Sequence, residues 1–380
     1  MPAMLPVAPD GATRLADVLA GAFAATSGAA AALALPPVRS AVVVLVDGLG
    51  ASNLKARAGH ARTLAGRLGK KDVAWSTFPS TTAVALATLT TGVPAGEHGL
   101  VGYSVLDAAH DRVVNQLSGW DARMVPEVWQ PRPTLFESAL ERGIRPVAIG
   151  APSYATSGLT RAVLRGADYV GGRTIDERVD LALATVRTGP SLVYLYVPEL
   201  DQAGHRDGWE SDRWTGRLEE LDGAIARLER GLPRDVGMLV SADHGMLDVP
   251  PHRHVLLDAT PGLLDGVRHV AGEPRCRYLY FEPALAAADR DALVSRWRDA
   301  ESHRAWVASG DEAIAAGYFG DVDPAVRPRI PDLLVAARSG IAYYDGRDAD
   351  QAPRKMIGQH GSLTDDERRV PLLRFGAFAR

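Results

Sequence analysis

Residues Ala41–Val46 read AVVVLV and are followed at once by Asp47-Gly48. A run of β-branched residues with no polar alternation points to a strand buried on both faces, as in the middle of a parallel sheet. Similar runs recur at Val147–Ile149, Leu192–Val197, Met238–Ser241, Tyr278–Phe281 and Leu333–Ala336. Helical patterns lie between them, at Thr134–Arg142, Asp176–Arg187 and Trp209–Arg230. In the last, Leu218, Leu221, Ile225 and Leu228 share one face at spacings of three and four. Strands alternating with helices predict an α/β fold on a mostly parallel central sheet flanked by helices.

The chain has 380 residues, enough for two or three domains at roughly 150 residues each. No linker or repeat divides it, so residues 1–380 read as a single catalytic domain. The stretch 247–355 is richer in Pro and Arg than its flanks and reads as an elaboration, a smaller subdomain inserted in that domain. A net charge of −4 gives no basis for binding a nucleic-acid polymer. Cys276 is the only cysteine, which rules out an intramolecular disulfide and a cysteine-rich zinc site; it reads as an inert core residue. Any metal must therefore be held by His and carboxylate, a set suited to catalysis.

The Ala-rich stretch Leu15–Pro36 is preceded by no basic residue in positions 1–13, and Asp17 interrupts it. Leu15, Val18, Leu19, Phe23 and Ala24 recur at helical spacing, so an amphipathic helix is expected there. No run approaches the ~20 apolar residues of a membrane span, and the expected location is cytoplasmic, away from membranes.

The chemistry gathers at strand ends. Asp47 follows AVVVLV, Asp201 and His205 follow LVYLYVPEL, and Asp243-His244 follow GMLVSA; His360 comes last, in GQHGS. Open α/β sheets bind ligands beyond the carboxyl ends of their strands. Taken singly, each group has an ordinary reading: Asp-Gly as a turn, Asp-His as a helix cap, His360 as a surface residue. Taken together, six nitrogen and oxygen donors delivered to one edge predict a site for Zn²⁺ or a similar divalent ion. The segment Trp75–Gly92 follows a short strand at Val73–Trp75. In it Ser80-Thr81-Thr82 look like a helix start, where hydroxyls commonly serve only as caps. A helix N-terminus also favours an anion, and a hydroxyl there beside a metal ion becomes a nucleophile.

The ordered set VDGLG, FPSTT…TTG, GEHGLVGY, LDQAGH, SADHGM and GQHG resembles the alkaline phosphatase superfamily, and within it the nucleotide pyrophosphatase/phosphodiesterase branch. The resemblance spans roughly Val42–Gly361. It implies an alkaline-phosphatase-like fold and two divalent metal ions, with zinc expected. One ion would be held by Asp201, His205 and His360, the other by Asp47, Asp243, His244 and the oxygen of the nucleophile. In the superfamily the nucleophile lies nine residues before the Thr of a Thr-Gly pair; here that pair is Thr91-Gly92, which selects Thr82. The phosphodiesterase branch commonly has its threonine before Phe-Pro, which selects Thr77 instead. The helix spacing favours Thr82, with Thr81 and Thr77 as alternatives.

The implied reaction is hydrolysis of a phosphodiester or phosphoanhydride through a covalent phospho-threonine, on a small nucleotide-like substrate. Phosphonate hydrolysis, phosphomutation on the same scaffold, and non-catalytic metal binding are the alternatives. Two departures from the family pattern bear on substrate binding. Where the branch carries an Asn after the His-Gly turn, this chain reads Gly99-Leu100-Val101-Gly102-Tyr103, so Asn115 is the candidate to take its place. Ala83 stands where nucleotide-binding members place an aromatic residue; Tyr103, Tyr154, Trp120 and Trp129 are candidates to line the pocket. His98 is expected to shape its loop, and His252 and His254 to approach the site without binding metal. His60, His110, His269 and His303 read as surface residues.

Overall fold

The computed structural model describes residues 5–379. Two main sheets organise them. In chain order the strands are β1 (Ser40–Val46), β2 (Val73–Trp75), β3 (Arg145–Gly150), β4 (Asp168–Gly171), β5 (Ser191–Val197), β6 (Val236–Ser241), β7 (Val267–Glu273), β8 (Cys276–Phe281), β9 (Ala305–Ser309), β10 (Leu333–Ala337) and β11 (Arg369–Gly376). The central sheet has the order β2-β11-β6-β1-β5-β3-β4. The pairs β6·β1, β1·β5, β5·β3 and β3·β4 are parallel, and β11 runs antiparallel to β6 and to β2.

All seven residues of β1 are buried. Successive side chains of a strand point to opposite faces, so both faces must be covered. The covering helices include α1 (Ala16–Ser27), α2 (Thr82–Thr91), α3 (Ile175–Arg187), α4 (Glu199–Asp207) and α5 (Asp212–Gly231). Helix α1 packs on β1 and on α2, while α3 packs on β5 and on α5. The expected amphipathic helix after Leu15 is α1, which buries Val18, Leu19 and Phe23 and ends at Gly28 in the left-handed conformation. Helix α5 starts three residues later than its apolar pattern suggests, because the Ser211 hydroxyl caps it by accepting the Trp214 N–H.

The runs around Tyr278–Phe281 and Leu333–Ala336 do not join the parallel sheet. They are β8 and β10 of a separate antiparallel sheet, ordered β7-β8-β10-β9, that lies within the 247–355 stretch. A short apolar run shows that a strand is buried on both faces but not which sheet it enters. Here alternate residues of β8 serve different cores. Tyr278 and Tyr280 pack with Phe78, Val84 and Val101, which lie outside that sheet. Leu279 and Phe281 pack with Leu293 and Trp297 of the helix Ala287–Glu301. The inserted sheet is thereby fused to the segment that carries α2. Among the described residues no helix is long and apolar enough to cross a membrane.

Leu195 lies in β5, fully buried in the central core. Leu195→Ala is expected to lower unfolding free energy by about 3 kcal/mol through lost burial and the cavity left behind, measured by denaturant titration.

Candidate active site

The parallel register brings the ends of β1, β5 and β6 side by side. Asp47 continues the ladder past β1, its N–H donating to Val197 O at 2.9 Å. Asp201 and His205 sit one turn apart on α4, so both face the same way. Gly48 has φ +74°, and a Cβ there would come within 3.1 Å of Asp201. Only glycine lets the Asp47 loop approach Asp201 this closely. Asp243 and His244, just past β6, are completely buried.

Two groups of ligand atoms result. In one, His205 Nε2 lies 3.3 Å from Asp201 Oδ1 and 3.3 Å from His360 Nε2. In the other, His244 Nε2 lies 3.3 Å from Asp47 Oδ1, 3.5 Å from Asp243 Oδ2 and 3.2 Å from Thr82 Oγ1. The His244 and His360 rings stack at 3.6 Å between centroids and join the two. Asp201 also stands with Asp47 and His244, their ligand atoms all within 4.8 Å of one another.

Each histidine has its Nδ1 directed at a backbone carbonyl. His205 points to Gly358 O at 2.8 Å, His360 to Ser80 O at 2.9 Å and His244 to Gly245 O at 3.2 Å. A carbonyl accepts only, so Nδ1 carries the proton and the Nε2 lone pair is left for the site. Burial, then the neighbouring His244 and His205, holds His360 well below the ordinary imidazole range, which keeps it in the neutral form a ligand needs.

The carboxylates show the complementary pattern. Asp47 Oδ1, Asp201 Oδ1 and Asp243 Oδ2 are buried with no hydrogen-bond donor. Their other interactions fix orientation. Tyr196 Oη donates to Asp47 Oδ2, and the N–H groups of Gly48 and His244 donate to Asp243 Oδ1 at 3.1 and 2.9 Å. Burial, then repulsion from Asp201 and Asp243, raises the Asp47 carboxyl well above the usual range. Three free carboxylate oxygens facing imidazole lone pairs, with no positive side chain between them, form a donor set that could hold divalent cations.

Thr82 is the first residue of α2, and Thr81 before it has extended backbone. No side chain caps this end, so its N–H groups remain available beside the Thr82 hydroxyl. Thr81 is buried ahead of the helix without capping it, and Thr77 Oγ1 donates to Pro79 O at 2.9 Å. A cavity of about 510 Å³ opens from Asp47, Thr82, Asp201, His205 and His360. Its walls include Tyr103, Tyr154, Tyr169, Tyr194 and Tyr196 with Leu159 and Val163.

Several expected residues take other places. Asn115 does not line this cavity: its Oδ1 accepts the N–H groups of Leu117 and Ser118 at 2.8 and 3.0 Å, a local turn that occupies the carboxamide. Tyr103 does line it. Trp120 donates to Gln116 O and Trp129 lies under Arg329, so both serve the packing around the cavity and not its wall. His252 and His254 are also absent from the wall; His254 packs on Tyr344. Cys276 is buried and free, its thiol pushed up by burial.

His98 braces the helix that starts at Thr82. Its Nδ1 accepts the Leu100 N–H at 3.2 Å, so its Nε2 carries the proton toward Thr88 Oγ1 at 2.9 Å. Glu273 and Tyr196 belong to the site without having been expected there. Glu273, at the end of β7, is buried in the cavity wall 3.5 Å from His360 Nδ1. Burial, with Glu367 adding to it, raises its carboxyl well above the usual range. A hydroxyl alternating into the apolar LVYLYV strand was the one signal for Tyr196; nothing local marked Glu273.

A sequence model of the type I phosphodiesterase/nucleotide pyrophosphatase family matches residues 41–363, and the chain belongs to that family. Its structure is similar to murine ectonucleotide pyrophosphatase/phosphodiesterase 5, with TM-score 0.68 and 18% identity over 89% of this chain and 88% of that one. An inactive variant of that murine protein, in complex with AMP, gives a TM-score of 0.67 at 18% identity, covering 89% and 88% of the two chains. The human counterpart gives 0.65 at 15% identity, over 90% of each chain. In sequence, the chain is 23% identical over 191 residues to an uncharacterised pyrophosphatase/phosphodiesterase of Schizosaccharomyces pombe; the match covers 48% of this chain and 39% of the yeast protein.

Metal analysis of the purified protein after zinc loading should find about two equivalents, with Asp47→Ala losing one and His360→Ala the other. A separate test concerns His98, whose folded pKa burial lowers from 6.5 to about 3. The unfolded chain takes up the proton first. The stability this neutral group contributes is therefore complete above pH 6.5 and falls as pH drops from there toward 3. Between pH 7 and 5 it should cost the wild type on the order of 2 kcal/mol that a His98→Gln variant does not lose, read by denaturant unfolding at both pH values.

Proposed function

We propose that this protein is a metal-dependent phosphodiesterase/nucleotide pyrophosphatase that works through a covalent phospho-threonine on Thr82. The observation that carries this reading is the place of the Thr82 hydroxyl. It lies at an uncapped, buried helix start, 3.2 Å from His244 Nε2, in one cavity with the unpartnered carboxylate oxygens. Asp201, His205 and His360 would hold one divalent ion, and Asp47, Asp243 and His244 with Thr82 Oγ1 the other, zinc in both. When bound, such ions lower the pKa of a nearby hydroxyl and neutralise phosphoryl oxygens.

The rest falls to the chain. Thr82 Oγ1 attacks phosphorus in line, and the P–O bond to the leaving group breaks as the phospho-threonine forms. Free N–H groups at the start of α2 face the phosphoryl group and favour its negative charge. Water then cleaves the Thr82–phosphate bond and restores the hydroxyl. His205, His244 and His360 keep their orientation throughout, because each is tied at Nδ1 to the backbone.

A small nucleotide-like diester is the substrate this site favours. Membership of the family and the AMP complex of the murine relative support that choice. So does a cavity walled by tyrosine rings, which suits a flat group and compensates for Ala83.

With bis-p-nitrophenyl phosphate, Thr82→Ala should lower kcat on the order of 10³-fold or more while zinc content is kept. Thr77→Ala should stay near wild type. A clear preference for p-nitrophenyl phosphate over the diester would overturn the diesterase assignment. Loss of activity in Thr77→Ala alone would move the nucleophile.

A further inference from the structure

Three of the four ligand-bearing segments end against the same two residues, Asp366 and Glu367, in the single helical turn Asp365–Arg368. The loop after Asp47 reaches them at Gly50, where a Cβ would lie 2.9 Å from Asp366 O. The loop after His244 reaches them at Gly245. Its N–H donates to Glu367 O at 2.8 Å, and a Cβ there would lie 2.0 Å from Asp366 O. The loop after His360 reaches them through Ser362, whose N–H donates to Glu367 Oε1 at 2.9 Å. Glu367 Oε2 also accepts the Thr364 hydroxyl at 2.5 Å.

Glu367 is wholly buried, and its counter-charge comes from elsewhere. Arg275, in the turn between β7 and β8 of the inserted sheet, donates to it bidentately, Nε to Oε1 at 2.7 Å and Nη2 to Oε2 at 2.9 Å. Both side chains are 0% exposed. Arg275 Nη1 is fixed in turn by Ser339 O and Ile341 O at 2.8 and 2.7 Å. A planar fork held at both ends leaves the carboxylate little freedom.

We propose that Asp366-Glu367 sets the spacing between the two metal positions, and that Arg275 is the positioning residue by which the inserted sheet holds it there. This rests on the two-metal reading above. The groups that orient metal ligands govern affinity nearly as strongly as the ligands do. Here one buried carboxylate joins the His244 side of the centre, through its backbone, to the His360 side, through its side chain. The inserted sheet is then part of the metal centre's frame as well as a wall of the cavity.

The test is zinc affinity, measured against a competing chromophoric chelator on folded protein, with thermal melting and bis-p-nitrophenyl phosphate kinetics alongside. Arg275→Lys keeps the charge but loses the fork. It should stay folded, bind zinc about 10-fold or more weaker, and lose kcat in parallel with KM little changed. The double variant Arg275→Met/Glu367→Leu removes the buried pair together, which cores often tolerate. It should unfold cooperatively yet hold its zinc on the order of 10- to 100-fold less tightly, with the ion of the His360 side lost first. Variants that melt earlier but bind both zinc ions with wild-type affinity would show a purely structural pair and overturn the proposal. If the double variant does not fold, Arg275→Lys decides alone. A wild-type protein that binds no zinc would instead overturn the functional reading on which the proposal stands.

Discussion

Asp47, Asp201 and Asp243 each carry a buried carboxylate oxygen with no donor, at the ends of three adjacent parallel strands. Burying one such charge is costly, and burying several together is costlier still, because each opposes the ionisation of the next. The surroundings do not relieve it with lysine or arginine. They supply instead three imidazoles whose protons are committed to backbone carbonyls and whose lone pairs face inward. A donor set of this kind could hold divalent cations, and much of the fold is the frame that keeps its members in place.

That frame works through close approach. Gly48 lets Asp47 and Asp201 come together, and Gly50 and Gly245 let their loops meet at Asp366. Helix α2 brings Thr82 to the centre from another direction, braced along its length by the neutral, buried His98. The inserted antiparallel sheet adds Glu273 to the cavity wall and Arg275 to the buried ion pair. A segment that reads in sequence as an elaboration thus touches the site twice: it shapes the cavity and it neutralises Glu367.

How much of this was legible differs from residue to residue. Asp47, Asp201, His205, Asp243, His244 and His360 each have an ordinary reading alone and stand out only as a set, because six nitrogen and oxygen donors are delivered to one sheet edge. Thr82 is favoured by the superfamily's nine-residue spacing to Thr91-Gly92, against the branch's Thr-Phe-Pro pattern, which selects Thr77, with Thr81 as a further alternative. Asn115 misled because a polar residue near the site looks the same whether its carboxamide faces substrate or closes its own turn. Glu273, Arg275 and Glu367 gave no signal, since an acid at a strand end or an arginine in a hairpin is ordinarily a surface residue.

The sequence by itself determined the buried parallel strands, the helices between them and the edge at which the candidate ligands gather. These follow from local periodicity and from the rule that parallel strands present their ends together. Only the tertiary structure decided that the β8 and β10 runs form a second sheet, that Asp201 stands between the two ligand groups, and that Glu367 meets Arg275 across 92 residues of chain. Pairing of that kind depends on which buried surfaces find each other and on where a buried charge finds its counter-charge. Neither is written into the local pattern of the residues involved.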